Sequence, residues 1–248
     1  MLVLVIDTSI HKGTVGWVKF NKELQPALPV DYASLFLPSK PGHAEKILDR
    51  ISLVLDSSGL SIEDIDLIAL GKGPGTFTGL RIGYATAKAF HLSHKIPVVP
   101  VSTLKMVALS AKTEGTVVSL MDARRKELYM GAYKVFKENG LFYGDSIIDS
   151  QVVKPESVKQ IIADNNISFP VTFAGDGVYV YPDILKNSGD LPPVTASSPD
   201  LCFMAVDAVN QYITSGGTSG KFNNPSQFEP DYLREPDAKK PKQPIDLR

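Results

Sequence analysis

The chain has 248 residues, 43% hydrophobic and 21% charged, with a formal net charge of -1. That length supports one large domain or two lobes with a core each, and the near-zero charge leaves no global basic field with which to capture nucleic acid unaided. A single cysteine, Cys202, excludes an internal disulfide framework and reads as a small buried apolar residue, and no apolar run approaches the ~18 residues of a membrane span.

Leu2 to Ile6 is a continuous apolar run ending in Asp7, as expected of a strand buried on both faces. The chain enters it without a basic leader or a small-residue cleavage site, so no signal peptide is expected and a cytoplasmic address is. After a turn at Thr8 to Gly13, Val15 to Phe20 reads as a paired strand and Tyr32 to Leu37 as a third. Ala44, Ile47, Leu48, Ile51, Val54 and Leu55 then form one helical stripe, with Gly59 where a C-terminal cap belongs. A strand at 67–70, a helix from Thr78 to about His94 and a strand from Ile96 to Val101 follow.

The pattern then repeats. Val117 to Met121 is apolar and ends in Asp122; a polar turn, Ala123-Arg124-Arg125-Lys126, leads to an alternating strand from Leu128 to Phe136. Ser146 to Val153 is a third strand, Pro155 to Asn165 a helix with Pro at its start. Val171 to Ala174 is a strand ending at Gly175-Asp176-Gly177, and Pro199 to about Ile213 the last helix. A βββαβα unit therefore occurs twice, the copies meeting near 102–115. This predicts lobes at 1–107 and 108–215 and an irregular tail at 216–248, linker-like apart from Pro230-Asp231-Tyr232-Leu233-Arg234. The tail's cations, Arg234, Lys239, Lys240, Lys242 and Arg248, have prolines among them and read as a solvated end.

The most specific local signal is Gly71-Lys72-Gly73-Pro74-Gly75-Thr76-Phe77-Thr78-Gly79-Leu80-Arg81-Ile82-Gly83. A strand–glycine turn–helix junction presents backbone N–H groups and a helix N-terminus, a common means of holding an anion. It is not a Walker A loop, because Gly79 is followed by Leu80 and Arg81, and its glycines do not fit the dinucleotide spacing. Gly79, Gly83 and Ala87 share one helical face. Since Gly inside a helix costs about 1 kcal/mol relative to Ala, the stripe implies close approach of another body, either this chain's own sheet or first helix, or a partner.

A duplicated unit of this kind resembles the actin-like ATPase (ASKHA) fold, an α/β fold whose lobes each open with a hairpin able to point at a nucleotide phosphate; Asp7 and Asp122 fall at the matching places. Within that fold the chain resembles the TsaB (YeaZ) family. The resemblance is carried by Ile6-Asp7-Thr8-Ser9, His43-Ala44-Glu45, the glycine motif, Pro97 with Val101-Ser102, Asp122-Ala123-Arg124-Arg125 and Tyr232-Leu233-Arg234. It is dense over about 1–135 and thin between 136 and 225. It implies a non-catalytic scaffold and dimerization subunit that pairs with the transferase TsaD through its first two helices. It also implies a surface offered to the ATPase subunit TsaE, and indirect service to tRNA, whose anticodon-adjacent adenosine receives the threonylcarbamoyl group. The larger sister TsaD is similar in its glycine motif but builds a metal site on a His-x-x-x-His helix. This chain has four histidines, and His91 and His94, three apart, read as surface or interface residues, so no metal site is expected.

From the residues and the resemblance together, Glu45, Leu48, Ile51, Leu55, Gly79, Gly83, Ala87 and Phe90 are the expected partner-binding set. Leu53, off the main apolar stripe, hints at a second contact. Asp7, Thr8, Ser9, Gly75, Thr76, Asp122 and Arg124 are the candidate phosphate or nucleotide contacts. No glycine follows Asp7 before Gly13, and the second hairpin offers arginines instead of glycine, so no cofactor of its own is expected; weak ATP or ADP contact within a complex stays open, as does a homodimer in the partner's absence. The alternative is an ATP-dependent phosphotransferase of the same fold acting on a small metabolite. A third, a peptidase, finds no nucleophile or metal set.

Overall fold

In the computed structural model, described residues are 1–10, 13–21, 28–37, 43–185 (backbone alone at 43–45), 199–217, 222, 224 and 229–234. The first half runs β1 (Leu2–Asp7), β2 (Thr14–Phe20), β3 (Pro29–Phe36), α1 (His43–Asp56), β4 (Leu67–Gly73), α2 (Phe77–His94), β5 (Val98–Ser102) and α3 (Thr103–Ser110). The second runs β6 (Gly115–Arg124), β7 (Glu127–Glu138), β8 (Leu141–Val153), α4 (Val158–Asp164), β9 (Thr172–Ala174), α5 (Gly177–Val180) and α6 (Leu201–Thr214).

The strands form two sheets, ordered β3-β2-β1-β4-β5 and β8-β7-β6-β9. In each, an antiparallel meander is extended by a parallel strand beside its first member, β4 beside β1 and β9 beside β6. The second sheet thus repeats the order of the first four strands, without a counterpart of β5 among the described residues. The matching aspartates hold comparable places, Asp7 paired with Thr14 at the end of the β1–β2 ladder and Asp122 with Leu128 just before the last pair of the β6–β7 ladder.

Alternation along β1 shows how the layers are built. Leu2, Leu4 and Ile6 face α1 and α2, where they meet Ile47, Ile51, Val54, Leu55, Tyr84 and Ala87. Val3 and Val5 face the opposite way, into a central core filled by α3 and α6 and closed by Val117, Met121, Tyr133 and Val135 of the second sheet. The far face of that sheet, with Val118, Leu120 and Met130, is covered by Val158 and Ile162 of α4 and Val178 of α5. The order is helices, sheet, helices, sheet, helices. A strand with helices on both faces must be apolar throughout, and all six residues of β1 are buried.

Helix ends follow local chemistry. Beyond α1, Gly59 takes φ +66° and the Leu60 N–H reaches back to the Leu55 carbonyl at 3.0 Å, a glycine stop of the expected kind. Two elements were not anticipated. The junction at 102–115 contains α3, and an expected boundary at 107 falls inside it; α3 is buried nearly all round, so its sequence shows no polar face to betray a helical period. The short α5 begins at Gly177. The expected helix at 155–165 opens as a 3₁₀ turn at Pro155–Ser157 before α4.

Candidate functional site: an inter-lobe cleft and an outward helix face

The first hairpin, after β1, is held by its own side chains. Asp7 is wholly buried and accepts from the Ser9 N–H (2.8 Å) and the Ser9 hydroxyl (2.6 Å). With the Ser9 proton committed to Asp7, the Thr103 hydroxyl at 3.0 Å donates to Ser9 and ties the hairpin to the start of α3. Burial raises the Asp7 carboxyl above the usual range, against the opposing pull of the Ser9 hydroxyl and N–H. Its second oxygen, Oδ2, meets no hydrogen-bond partner among the described residues.

Next to it stands the glycine turn. Thr76 caps α2, its hydroxyl accepting from the Gly79 N–H at 3.3 Å, and its own N–H donates to the Ser9 carbonyl at 2.7 Å. Thr8 donates its hydroxyl to the Gly79 carbonyl at 2.6 Å. The turn was expected to present free N–H groups to an anion; those of Thr76 and Gly79 are instead taken up within the chain, and a Cβ on Gly75 would strike the Ser9 carbonyl.

Across the cleft, the second lobe supplies the β6–β7 hairpin. Asp122 accepts from the Arg124 N–H (2.9 Å), and its own N–H donates to Asp176 (3.0 Å). Arg124 Nη1 lies 3.7 Å from the Asp122 carboxylate. Arg124, Arg125 and Lys126 take φ of 64°, 53° and 63°, a left-handed run that side chains disfavour.

The cleft between these rims is lined by Ser9, Ile10, Gly75, Thr76, Asp122 and Arg124, with Met121, Ala123, Tyr129 and Asp176. The structure therefore gathers five of the seven candidate phosphate contacts and leaves two aside: Asp7 is sealed behind Ser9, and Thr8 is turned to α2. Asp176 was missed as a site residue; its signal was the Gly-Asp-Gly sequence closing β9. The cleft's volume is about 90 Å³, well below the roughly 300 Å³ at which small-molecule sites begin. Among the described residues its lining carries two carboxylates, Asp122 and Asp176, against the Arg124 guanidinium, an unfavourable balance for a phosphate.

The expected partner-binding set divides. Ile51, Leu55, Gly83 and Ala87 are buried. The glycine stripe points inward: a Cβ at Gly79 would run into the Thr8 carbonyl, and one at Gly83 would fall 2.5 Å from the Thr8 hydroxyl and 3.3 Å from Leu70. The body that approaches the stripe is this chain's own first hairpin, so these residues are corrected from an outward surface to an internal seam. Phe90 is half-buried against the same core. Leu48 is 54% exposed, as Leu53 (52%) and Leu92 (60%) are; the side chain of Glu45 lies outside the described residues. On α2 the outward positions are Thr78, Arg81, Ala85, Ala89 and Leu92, all exposed, with 78, 85, 89 and 92 on one helical face.

His91 is also corrected: it is buried, with Nδ1 2.9 Å from the Ile96 carbonyl, while His94 Nε2 lies 3.6 Å from Glu63. Among the described residues no group of three or more His, Cys, Asp or Glu is placed to hold a metal. Burial, the larger cause, and the nearby Asp200 push the half-buried Cys202 thiol up to about 11, away from thiolate chemistry. No helix among the described residues is long and apolar enough to cross a membrane.

Two sheets that share a four-strand order, with a cleft between their first hairpins and an aspartate near the end of each first strand, mark an actin-like α/β protein. A model for the family described as "TsaD: tRNA N6-adenosine threonylcarbamoyltransferase" matches residues 38–241. The chain is 37% identical over 197 residues to the tRNA threonylcarbamoyladenosine biosynthesis protein TsaB of Escherichia coli K12, covering 76% of this chain and 77% of that one. It is 32% identical to the Haemophilus influenzae protein of the same name, covering 77% and 80%. A solved structure described as YeaZ from Pseudomonas aeruginosa shares the fold, with a TM-score of 0.70 at 23% identity over 94% of this chain and 99% of that one. The chain belongs to the TsaB family, within the wider TsaD-type domain family.

Proposed function

We propose that this chain is a non-catalytic scaffold subunit in the synthesis of threonylcarbamoyladenosine in tRNA, and that it works by docking the outer faces of α1 and α2 against a TsaD-type transferase. The observation that carries the reading is the outward face of α2. Ala85 and Ala89 keep the backbone close to the surface, so a partner helix can approach tightly, and Leu92 of α2 with Leu48 and Leu53 of α1 supply exposed apolar area. Stable interfaces bury roughly 1,600 Å² in total, and two adjacent helices can provide the share of one partner. The names of the relatives support the pathway; the docking rests on the geometry.

The chemistry then belongs to the transferase. A cleft of about 90 Å³ argues against an ATP-dependent phosphotransferase, and nucleotide contact is left to the assembled complex. TsaE engages another surface of that complex, tRNA meets this subunit through it, and the cytoplasm is the place of work. Without the transferase, a second copy of the chain can use the same face, since an isologous contact reuses one patch.

The test is a pair of variants, Ala85→Arg and Ala89→Arg. Both should abolish co-elution with the transferase on size-exclusion chromatography. Their circular dichroism should match that of wild type, with stability within about 0.5 kcal/mol, as for exposed substitutions. Normal co-elution of both variants would rule out this face.

A further inference from the structure

Residues 229–234 lie against the body of the protein, and their contacts fall on both rims of the cleft. On the first lobe, Tyr84 of α2 donates its hydroxyl to the Glu229 carbonyl (2.8 Å). The Asp231 N–H donates to the Lys72 carbonyl at the end of β4 (2.8 Å), and Lys72 Nζ stands 3.5 Å from the Asp231 carboxylate. Tyr232 lies flat on Phe77 at the start of α2, with ring centroids 4.6 Å apart and planes within 10°. The Arg81 guanidinium also lies against Phe77, 5.2 Å from the ring centroid. On the second lobe, Arg234 Nη1 donates to the Ala123 carbonyl (2.6 Å), and its Nε stands 3.8 Å from Glu127. Between the two anchorages, Leu233 packs against the central core.

A segment with neither helix nor strand of its own gains no regular hydrogen-bond ladder to offset the entropy of being ordered. Here the offset comes from contacts to the rest of the chain, divided between the lobes. The anchor points adjoin the cleft itself: Lys72 and Phe77 bracket Gly75 and Thr76 on one rim, and Ala123 is part of the other. We propose that residues 229–234 are a strap that holds the two lobes at a fixed separation and so sets the width of the cleft. The arrangement is asymmetric. The first lobe holds the strap through the peptide backbone, an ion pair and a ring stack, whereas among the described residues the strap's polar contacts to the second come from Arg234, to Ala123 and Glu127. Removing that one guanidinium should therefore unfasten one end and leave the other seated.

Hydrogen exchange with mass spectrometry on the full chain tests this, comparing wild type with Arg234→Ala and Tyr232→Ala. A strap predicts faster exchange in Arg234→Ala at 121–128 and also at 70–78, a rim that Arg234 does not touch, each by about tenfold, on the order of losing a charge-assisted hydrogen bond. In Tyr232→Ala the reciprocal effect is expected: faster exchange at 121–128 across the cleft. Residues 158–164 of α4, on the far side of the second sheet, should be unchanged in both. Exchange that rises only around the substituted residue, with the opposite rim as in wild type, would overturn the proposal. Should Arg234→Ala fail to show a cooperative melt, the response of 121–128 in Tyr232→Ala decides alone.

Discussion

Replacing Gly79 with alanine separates an inward glycine stripe from an outward one by the sign of its effect. At a solvent-facing helix position the change stabilises by about 1 kcal/mol through propensity. Here a methyl at 79 would run into the Thr8 carbonyl. The Thr8 hydroxyl is bonded to the Gly79 carbonyl at 2.6 Å, and the flanking residues Asp7 and Ser9 are bonded to each other, so the hairpin has little freedom to retreat. Overpacking a close contact costs about 1–3 kcal/mol, or more where backbone must shift, and prising the two elements apart weakens a hydrogen bond of about 1 kcal/mol. Set against the gain in propensity, Gly79→Ala should destabilise by about 1–3 kcal/mol, at roughly 2–4 °C of melting temperature per kcal/mol for a chain of this size. Urea and thermal denaturation followed by circular dichroism measure it. Ala85→Gly on the outer face is the control and should lose only the propensity term, about 1 kcal/mol. A Gly79→Ala protein that melts above wild type would show that nothing crowds that face, and the internal seam would have to be abandoned.

Two further outcomes follow from the cleft. Burial raises the Asp7 carboxyl, so the folded state keeps a proton that the unfolded chain releases near pH 3.9. The stability contributed by neutral Asp7 is complete below that pH and declines as pH rises through the raised folded-state value. Asp7→Asn has no such proton to lose; its melting temperature relative to wild type should therefore climb between pH 4 and pH 8, and a flat or falling difference would refute the assignment. At the β6–β7 turn, Lys126 holds φ 63°, where glycine avoids a cost of about 1 kcal/mol. Lys126→Gly should thus raise the denaturation midpoint by about 2–4 °C, and a lowered midpoint would mean that the lysine side chain makes contacts worth more than the turn strain.

How far the sequence could be read depended on whether neighbouring residues or distant ones decide the matter. β1 and β4 announce themselves because burial on both faces demands an uninterrupted apolar run, and α1 because it has one wet side and one dry side. α3 has the same apolar content but no wet side, so no period marks it. Small residues at 79, 83 and 87 show that something comes close, yet a stripe of that kind carries no information about which body approaches. The answer lay in Thr8, 71 positions away in sequence. The outward face was harder still, because Ala85 and Ala89 differ little from Ala87 in composition and only the packing of the sheet decides which alanine is covered. Tyr232 and Arg234 were visible as a motif, but their destinations at Phe77 and Ala123 belong to tertiary structure alone.

The distribution of polar contacts bears on what kind of actin-like protein this is. A lobe that grips phosphate needs backbone donors left open at its hairpin and at the start of the following helix. In the first lobe the Thr76 N–H already meets the Ser9 carbonyl and Thr8 is turned onto α2. In the second, Asp122 accepts the Arg124 N–H while its own N–H meets Asp176. These four groups are thus engaged in fixing hairpin to helix and strand to strand. That internal bonding makes the first lobe stiff where α2 begins, and a stiff base is what an outward helix face needs if it is to present Ala85, Ala89 and Leu92 in a fixed register to a neighbour, because a preorganised surface loses little conformational freedom on binding. On the docking proposed above, the contacts at the cleft and the apolar residues on the outer helices serve one purpose, and loosening Asp7 to Ser9 should weaken docking although these residues lie outside the proposed face.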